Sequence, residues 1–272
     1  GTPIRTIGSF GNGDGQFYEP RGVAVDAQGN IYVADTWNAR IVKLDPQGTF
    51  LTSWGVGRED FGDGRRASPT GGTQDLNLAR PLDLFGPRGV AVDADGNVYI
   101  ADTGNKRIVV TDTDGNYRYQ WGYDGSASGQ FNEPTGVAVD ENGTVFVADT
   151  WNSRVQAFAR ADNGQVSPLP YAIWRVPGWQ PQTYDDPFIA AQGGRVLVSV
   201  PARNTLLLTD DSGAGLIAWG GTGSDAASVN LPCGVAFAPD GAALVVDRGN
   251  TRIMRFSLPD VAPSAPTGAP LR

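Results

Sequence analysis

Residues 19–55 read EPRGVAVDAQGNIYVADTWNARIVKLDPQGTFLTSWG, and this stretch returns twice in recognisable form. Residues 86–122 read GPRGVAVDADGNVYIADTGNKRIVVTDTDGNYRYQWG, and residues 133–158 read EPTGVAVDENGTVFVADTWNSRVQAF. Weaker copies occupy residues 186–220 and 231–258. Repetition at a fixed period identifies the architecture before local propensities are weighed, so the sequence indicates five copies of one structural unit.

Each copy has the pattern of a small antiparallel sheet. In the first copy, GVAVD leads through the turn Gln28-Gly29 into a second β-rich run, and further runs start at Arg40 and end at Trp54-Gly55. Four short strands per unit at this spacing are typical of propeller blades. The sequence therefore predicts an all-β protein, a single β-propeller of four-stranded blades. Five blades are the direct count, and six would require another blade within residues 56–85 or 160–185.

The two ends of the repeat array suggest how the ring closes. The last copy stops after its third strand at Arg255–Leu258, while Ile4–Gly11 resembles the fourth-strand segment Tyr117–Gly122. We therefore expect the N-terminal strand to complete the last blade and close the ring. The propeller is assigned to residues 1–258, and the Pro/Ala-rich residues 259–272 to a linker or tail.

The conserved letters of the copies resemble the NHL repeat family. They are P-x-G-V-A-V-D, then G-N-x-Y-V-A-D-T-x-N-x-R-I, then a Gly-Gln-Phe linker at residues 15–17 and 129–131. The fourth copy departs from this pattern, because Val200 and Pro201 stand where Asp and Thr are expected. The resemblance implies a binding or sensor propeller, and in some members RNA binding through a basic face.

Composition narrows the possible functions. The net charge of −8 and pI near 4.5 disfavour a nucleic-acid partner, because phosphate binding relies on clustered Lys and Arg. No run of about 18 apolar residues occurs, so we expect no insertion into a membrane. Cys233 is the single cysteine, which excludes an intrachain disulfide and any multi-cysteine metal site.

The chain has no histidine, which removes the usual general base and every His-ligated metal site. The amidating and streptogramin lyases with similar propellers use histidines, so the resemblance does not extend to their chemistry. A calcium-dependent lactonase or esterase stays as an alternative, since such propellers hold their ion with Asp, Asn and Glu. We predict no catalytic residues and no cofactor other than a possible central calcium.

Residues shared by the copies and residues that differ between them have different roles. Asp35 and Arg40 recur in nearly every copy, so we interpret them as structural. The residue after Asp-Thr varies, as Trp37, Gly104 and Trp151 show. The residue between Pro and Gly also varies. Both positions lie in connections that emerge on the same side of a propeller, as do the long insertions.

The variable Trp and Arg side chains on this one side are the candidate ligand contacts, because binding residues concentrate on loops and hot spots favour Trp and Arg. We predict a non-catalytic, monomeric binding or sensor propeller that presents this side to a protein, peptide or glycan, in an extracytoplasmic setting. A structural module of a larger surface protein is the other alternative. The candidate residues are Arg21, Trp37, Arg88, Trp151, Trp179, Tyr184, Arg203 and Arg248.

Overall fold

The computed structural model describes residues 5–55, 81–180, 187–215 and 217–259. These residues form 21 β-strands joined by turns and single 3-10 turns, with no α-helix among them. The strands build a five-bladed β-propeller, which confirms the predicted fold class and the count of five. Of residues 160–185, where a sixth blade was considered, Ala172–Arg175 form the fourth strand of the third blade. The other candidate segment, residues 56–85, lies outside the described residues up to residue 80.

Within each blade the strands pair antiparallel in chain order, the first strand lying nearest the axis. The first blade comprises β3 (Gly22–Val25), β4 (Ile31–Asp35), β5 (Arg40–Leu44) and β6 (Phe50–Trp54), and the second comprises β7 (Gly89–Val92), β8 (Val98–Asp102), β9 (Arg107–Thr111) and β10 (Tyr117–Trp121). The third comprises β11 (Pro134–Val139), β12 (Val145–Asp149), β13 (Arg154–Phe158) and β14 (Ala172–Arg175), and the fourth comprises β15 (Ile189–Gln192), β16 (Arg195–Val200), β17 (Thr205–Asp210) and β18 (Ile217–Gly220). The fifth comprises β19 (Pro232–Phe237), β20 (Ala243–Asp247) and β21 (Arg252–Phe256).

The hydrophobic core lies between blades. At the first junction Tyr32 and Ile41 pack in one cluster with Val98 and Ile100 of the second blade, all four fully buried. Near the axis the inner strands approach so closely that a side chain at Gly89 would lie 2.9 Å from the backbone nitrogen of Val137. Glycine at the start of each GVAV run is therefore a packing requirement.

Hydroxyl groups cross-link the blades near the axis. Thr36 Oγ1 donates to the carbonyl of Pro87 in the next blade at 2.8 Å, and Thr103 Oγ1 donates to Pro134 at 2.7 Å. Ser199 takes this role in the degenerate fourth blade, donating to the Cys233 carbonyl at 2.8 Å. Each bond supplies a donor to a carbonyl group that water hardly reaches, so the contact between neighbouring blades contributes to the stability of the ring.

Each complete repeat also contains an Asp corner, defined in the second blade by Asp102, Asn105 and Arg107. Asp102 accepts hydrogen bonds from Arg107 Nε at 2.8 Å, Asn105 Nδ2 at 2.8 Å and the Phe85 amide at 2.7 Å. Burial raises the pKa of Asp102, and the charge of Arg107 opposes that shift. The same corner recurs at Asp35, Asp149 and Asp247. The repeated Asp and Arg are therefore structural, as the repetition predicts.

The N-terminal segment lies where the predicted closing strand belongs, but in the described residues it does not pair with the last blade. In the described residues β1 (Ser9–Phe10) pairs in parallel with β2 (Gln16–Phe17), and no N-terminal strand pairs with β21. The fifth sheet accordingly has three strands in the described part of the chain. Ile7 contacts Gly48, in the turn before β6 of the first blade, as Trp54 of the first outer strand contacts Gly115 in the second blade. The tail assigned to residues 259–272 lies, apart from Pro259, outside the described residues.

Removing one inter-blade hydroxyl should lower stability. We expect Thr103→Val to reduce the free energy of unfolding by about 1–3 kcal/mol, because the Pro134 carbonyl loses its donor. Chemical denaturation followed by tryptophan fluorescence measures this change. Thr113→Val in the same blade is the matched control and should change stability by less than about 0.5 kcal/mol. Equal effects of the two substitutions would contradict the cross-linking role.

Candidate functional site

Five 3-10 turns mark one end of the propeller, each joining the second and third strands of its blade. In the first blade the turn spans Thr36–Asn38 and ends at Ala39, whose φ of 52° places it in the left-handed region. The equivalent turns end in the same conformation. Because the backbone fixes each turn, and an Asp corner also fixes four of the five, the central residue of a turn has a defined position on this end, which we call the turn face. These central residues are Trp37, Gly104, Trp151, Ala202 and Gly249.

A cavity of about 290 Å³ opens on the turn face between the first two blades. Three of the predicted binding residues line it together: Arg21, Trp37 and Arg88. The Trp37 side chain is 47% exposed, so its indole is available to a ligand. Phe85 supplies a further apolar surface, and the buried Thr36 and Thr103 complete the wall.

A carboxylate orients the two side chains from the first blade. Trp37 Nε1 donates to Glu19 Oε2 at 2.8 Å, and Arg21 Nη2 lies 3.7 Å from the same oxygen. Burial lowers the pKa of Arg21, the charge of Glu19 raises it, and the positive charge of Arg248 lowers it.

The second carboxylate, Glu133, connects the cavity to Trp151. Arg88 Nη2 lies 4.0 Å from Glu133 Oε2, and Lys106 forms an ion pair with Glu133. The Lys106 ammonium lies 5.5 Å from the centre of the Trp151 ring, within the range of a cation–π contact. The structure thus brings Arg21, Arg88, Trp37 and Trp151 to the same side of the molecule.

The remaining predicted residues have different surroundings. Arg203 is exposed in the turn of the fourth blade and packs against Gly178, and Arg248 is exposed in the turn of the fifth. Trp179 is a core residue instead: it is 4% exposed, and its Nε1 donates to the Ser199 carbonyl at 2.9 Å. Its indole fills the junction of the third and fourth blades, so it cannot reach a surface ligand. Tyr184 lies outside the described residues.

Comparison with known proteins finds one repeat family in this chain. A family model described as "NHL repeat" matches residues 17–44, 86–113 and 131–158, which belong to the first three blades. The chain contains three NHL repeats within its five-bladed β-propeller. The resemblance stated from the sequence is thereby confirmed.

Relatives of the NHL propeller are much longer proteins. It is 35% identical over 140 residues to "Protein brain tumor" of Drosophila melanogaster, covering 43% of this chain and 14% of that protein. It is 35% identical over 135 residues to "B-box type zinc finger protein ncl-1" of Caenorhabditis elegans, covering 40% and 16%. It is 32% identical over 132 residues to "Peptidylglycine alpha-amidating monooxygenase" of Rattus norvegicus, covering 45% and 12%. The chain therefore spans only a small part of each relative.

Solved structures share the fold at low sequence identity. A streptogramin B lyase aligns with a TM-score of 0.55 and 15% identity, covering 88% of this chain and 65% of that one. A protein of unknown function from Bacteroides caccae aligns with a TM-score of 0.55 and 14% identity, covering 84% and 70%. At such identity the likeness concerns the architecture alone.

Sequence reasoning missed the carboxylates and the lysine that organise the turn face. Glu19 and Glu133 both precede a proline and both have positive φ, 47° and 50°. The Glu-Pro pair appears in two copies and Gly86-Pro87 replaces it in another, so comparison of this position would have found them. Lys106 stands at the left-handed residue that ends the second turn, a position occupied by Ala39 in the first blade.

A second cavity lies on the propeller axis between the inner strands, and its lining does not suit calcium. It measures about 450 Å³, and its described lining consists of apolar side chains, glycines of the inner strands, Cys233 and Arg21, without a carboxylate. Calcium sites need carboxylate and carbonyl oxygens, and a guanidinium opposes a cation. In the described part of the chain no three His, Cys, Asp or Glu side chains are grouped to hold a metal ion. The same residues contain no helix long and apolar enough to cross a membrane.

The cavity wall explains why the second blade has glycine where its neighbours have tryptophan. A Cβ at Gly104 would lie 2.2 Å from Phe85 Cδ1, because the Phe85 ring covers this position. The Phe85 ring thus occupies the space that a side chain at residue 104 would need.

This contact predicts a double-mutant cycle. Gly104→Ala should lower the free energy of unfolding by about 1–3 kcal/mol, since the new methyl group forces the Phe85 ring to move. In a Phe85→Ala background the same substitution should cost less than in the wild type, because the ring is gone and only the backbone carbonyl oxygen of residue 85, 2.7 Å from the new methyl group, still obstructs it. Chemical denaturation of the four proteins gives the coupling. Additive effects would show that Phe85 does not close this wall.

Proposed function

We propose that this NHL propeller is a non-catalytic binding domain that presents its turn face to a polypeptide ligand. The observation that carries the proposal is the shared cavity of about 290 Å³, where Arg21, Trp37 and Arg88 converge. The Arg21 guanidinium and the half-exposed Trp37 indole come from the first blade and the Arg88 guanidinium from the second, so their arrangement depends on the packing of these two blades. A rigid scaffold of this kind loses little conformational entropy on binding.

The composition of the turn face supports a polypeptide rather than another ligand. Trp and Arg are the residues most often found as binding anchors between proteins. Glu19 and Glu133 fix these anchors and also offer acceptors for backbone amides or basic side chains of a ligand. NHL propellers commonly bind proteins, which agrees with this assignment.

Other functional classes have less support. The lyases that share the architecture do so at 12–15% identity, and one of them is described as catalytically inactive after a histidine-to-alanine substitution. This chain contains no histidine with which to perform comparable chemistry. Its net charge of −8 also disfavours a phosphate backbone as the ligand.

Selection from a random peptide library displayed on phage tests the proposal. We expect the wild-type propeller to select peptides whose affinity falls at least about tenfold in the Trp37→Ala/Trp151→Ala double variant, as for loss of binding anchors. Isothermal titration calorimetry with the synthetic peptides measures this change. Arg21→Ala and Arg88→Ala should each weaken the same peptides.

The matched control is Leu51→Ala/Tyr117→Ala, which removes two exposed apolar side chains near the opposite end of the blades. This variant should bind the selected peptides like the wild type. Selected peptides that bind all variants equally would refute the turn face as the site. A glycan array that finds a Trp37-dependent ligand, with no peptide selected, would refute the polypeptide assignment.

A further inference from the structure

Two arginine side chains from neighbouring blades line the same small cavity on the turn face. Arg21 precedes β3 of the first blade and Arg88 precedes β7 of the second, and both line the cavity of about 290 Å³. Among the described residues that line it, Glu133 is the only other charged one. Positive groups therefore outnumber negative ones within the cavity, although the whole chain has a net charge of −8.

The carboxylates beside these arginines lie beyond hydrogen-bond distance of them. Glu19 Oε2 accepts a hydrogen bond from Trp37 Nε1 at 2.8 Å but lies 3.7 Å from Arg21 Nη2. Glu133 Oε2 lies 4.0 Å from Arg88 Nη2. At these distances neither carboxylate makes the two parallel hydrogen bonds through which a guanidinium group binds a carboxylate most strongly.

The surroundings of the Arg21 guanidinium favour an added anion. The side chain is 28% exposed, and burial lowers its pKa because a cation is less stable away from water. The charge of Glu19 opposes this shift, whereas the positive charge of Arg248 adds to it. A carboxylate brought by a ligand would stabilise the cation in the same way as Glu19 does.

Many carboxylates of the chain lie at the opposite end of the blades. The 3-10 turns of the turn face join second and third strands, so the hairpin turns between the other strands of a blade are at the far end. Aspartates of these hairpin turns accept hydrogen bonds from backbone amides there, namely Asp26, Asp45, Asp93, Asp112 and Asp140. An anionic ligand is therefore repelled by the far end and attracted by the arginines of the turn face.

A row of aromatic rings extends from the cavity to the N-terminal segment. The centre of the Trp37 ring lies 6.1 Å from that of Tyr18, and the Tyr18 ring lies 5.1 Å from that of Phe10. Both ends of this aromatic row are accessible, since Trp37 is half-exposed and Phe10 is 78% exposed. The row offers an apolar surface to a side chain adjacent to a group bound in the cavity.

We infer, on the basis of the proposed function, that the turn face binds an acidic segment of its polypeptide ligand, with one carboxylate between Arg21 and Arg88. An apolar side chain next to this carboxylate packs on the aromatic row. The carboxylate belongs to an Asp or Glu side chain or to the C-terminus of the ligand. One carboxylate needs only a local pair of guanidinium groups, whereas a nucleic-acid backbone needs many clustered cations.

Positional-scanning libraries of acetylated heptapeptides test this inference. One library ends in an amide and the other in a free carboxylate. We expect the wild-type protein to bind pools with Asp or Glu fixed at one position at least about tenfold more strongly than pools with Asn or Gln there. A preference within the amidated library would assign the carboxylate to a side chain. A preference for the free C-terminus alone would assign it to the end of the ligand.

Charge removal on the protein locates the bound carboxylate. Arg21→Gln/Arg88→Gln should abolish the preference for the acidic peptide, because glutamine carries no charge. Arg255→Gln is the matched control and should retain the preference, since Arg255 pairs with Asp240 in a hairpin turn at the far end. In the wild type the affinity for the acidic peptide should also fall as sodium chloride rises from about 50 to about 500 mM. Phe10→Ala should weaken acidic and neutral peptides by the same factor.

The outcomes separate this inference from the proposed function. Peptide binding that depends on Trp37 and Trp151 but shows no preference for a carboxylate would overturn the acidic ligand and leave the proposed function standing. Absence of binding in both libraries would overturn both. An equal preference for acidic peptides in the wild type and in Arg21→Gln/Arg88→Gln would refute the assignment of the carboxylate to this cavity.

Discussion

The buried carboxylate of the Asp corner is the constraint on which the rest of the molecule depends. Asp102 is fully buried and joins three separate pieces of chain: the preceding linker through the Phe85 amide, the 3-10 turn through Asn105, and the third strand through Arg107. A buried charge without these partners would be strongly destabilising, so the corner forms complete or not at all. In the four blades that contain it, the corner therefore fixes the start of the turn and the junction with the preceding linker.

The period of the sequence predicted the fold because every blade must satisfy the same packing and hydrogen-bonding conditions. It could not predict the end of the ring. Residues 5–11 resemble an outer strand, but whether they pair with β21 depends on the distance between the fifth and first blades, which no local pattern encodes. Contact of Ile7 with Gly48 repeats the contact of Trp54 with Gly115, so the N-terminal segment lies beside the first blade where an outer strand of a preceding blade would.

The candidate site was partly predictable for the same reason. Differences between copies identified Trp37, Trp151, Arg21 and Arg88, since a shared scaffold places equivalent positions on one side. The residues that orient them were missed because the copies were compared at only two positions. Trp179 was assigned to the surface from the composition of its segment, yet composition cannot distinguish an indole that covers a junction from one that faces solvent.

The fourth blade lacks the Asp corner and shows which groups replace it. Val200 replaces the aspartate, and neutral groups take over: Asn204 accepts from the Leu231 amide at 2.8 Å and donates to Thr222 at 2.7 Å. Ser199 still cross-links this blade to the next. Neutral hydrogen bonds avoid the desolvation of a buried charge, but they also place fewer restraints on the turn. The charged corners hold the anchors of the turn face at the first three blades, and the uncharged corner lies next to the fifth blade, which has three paired strands among the described residues.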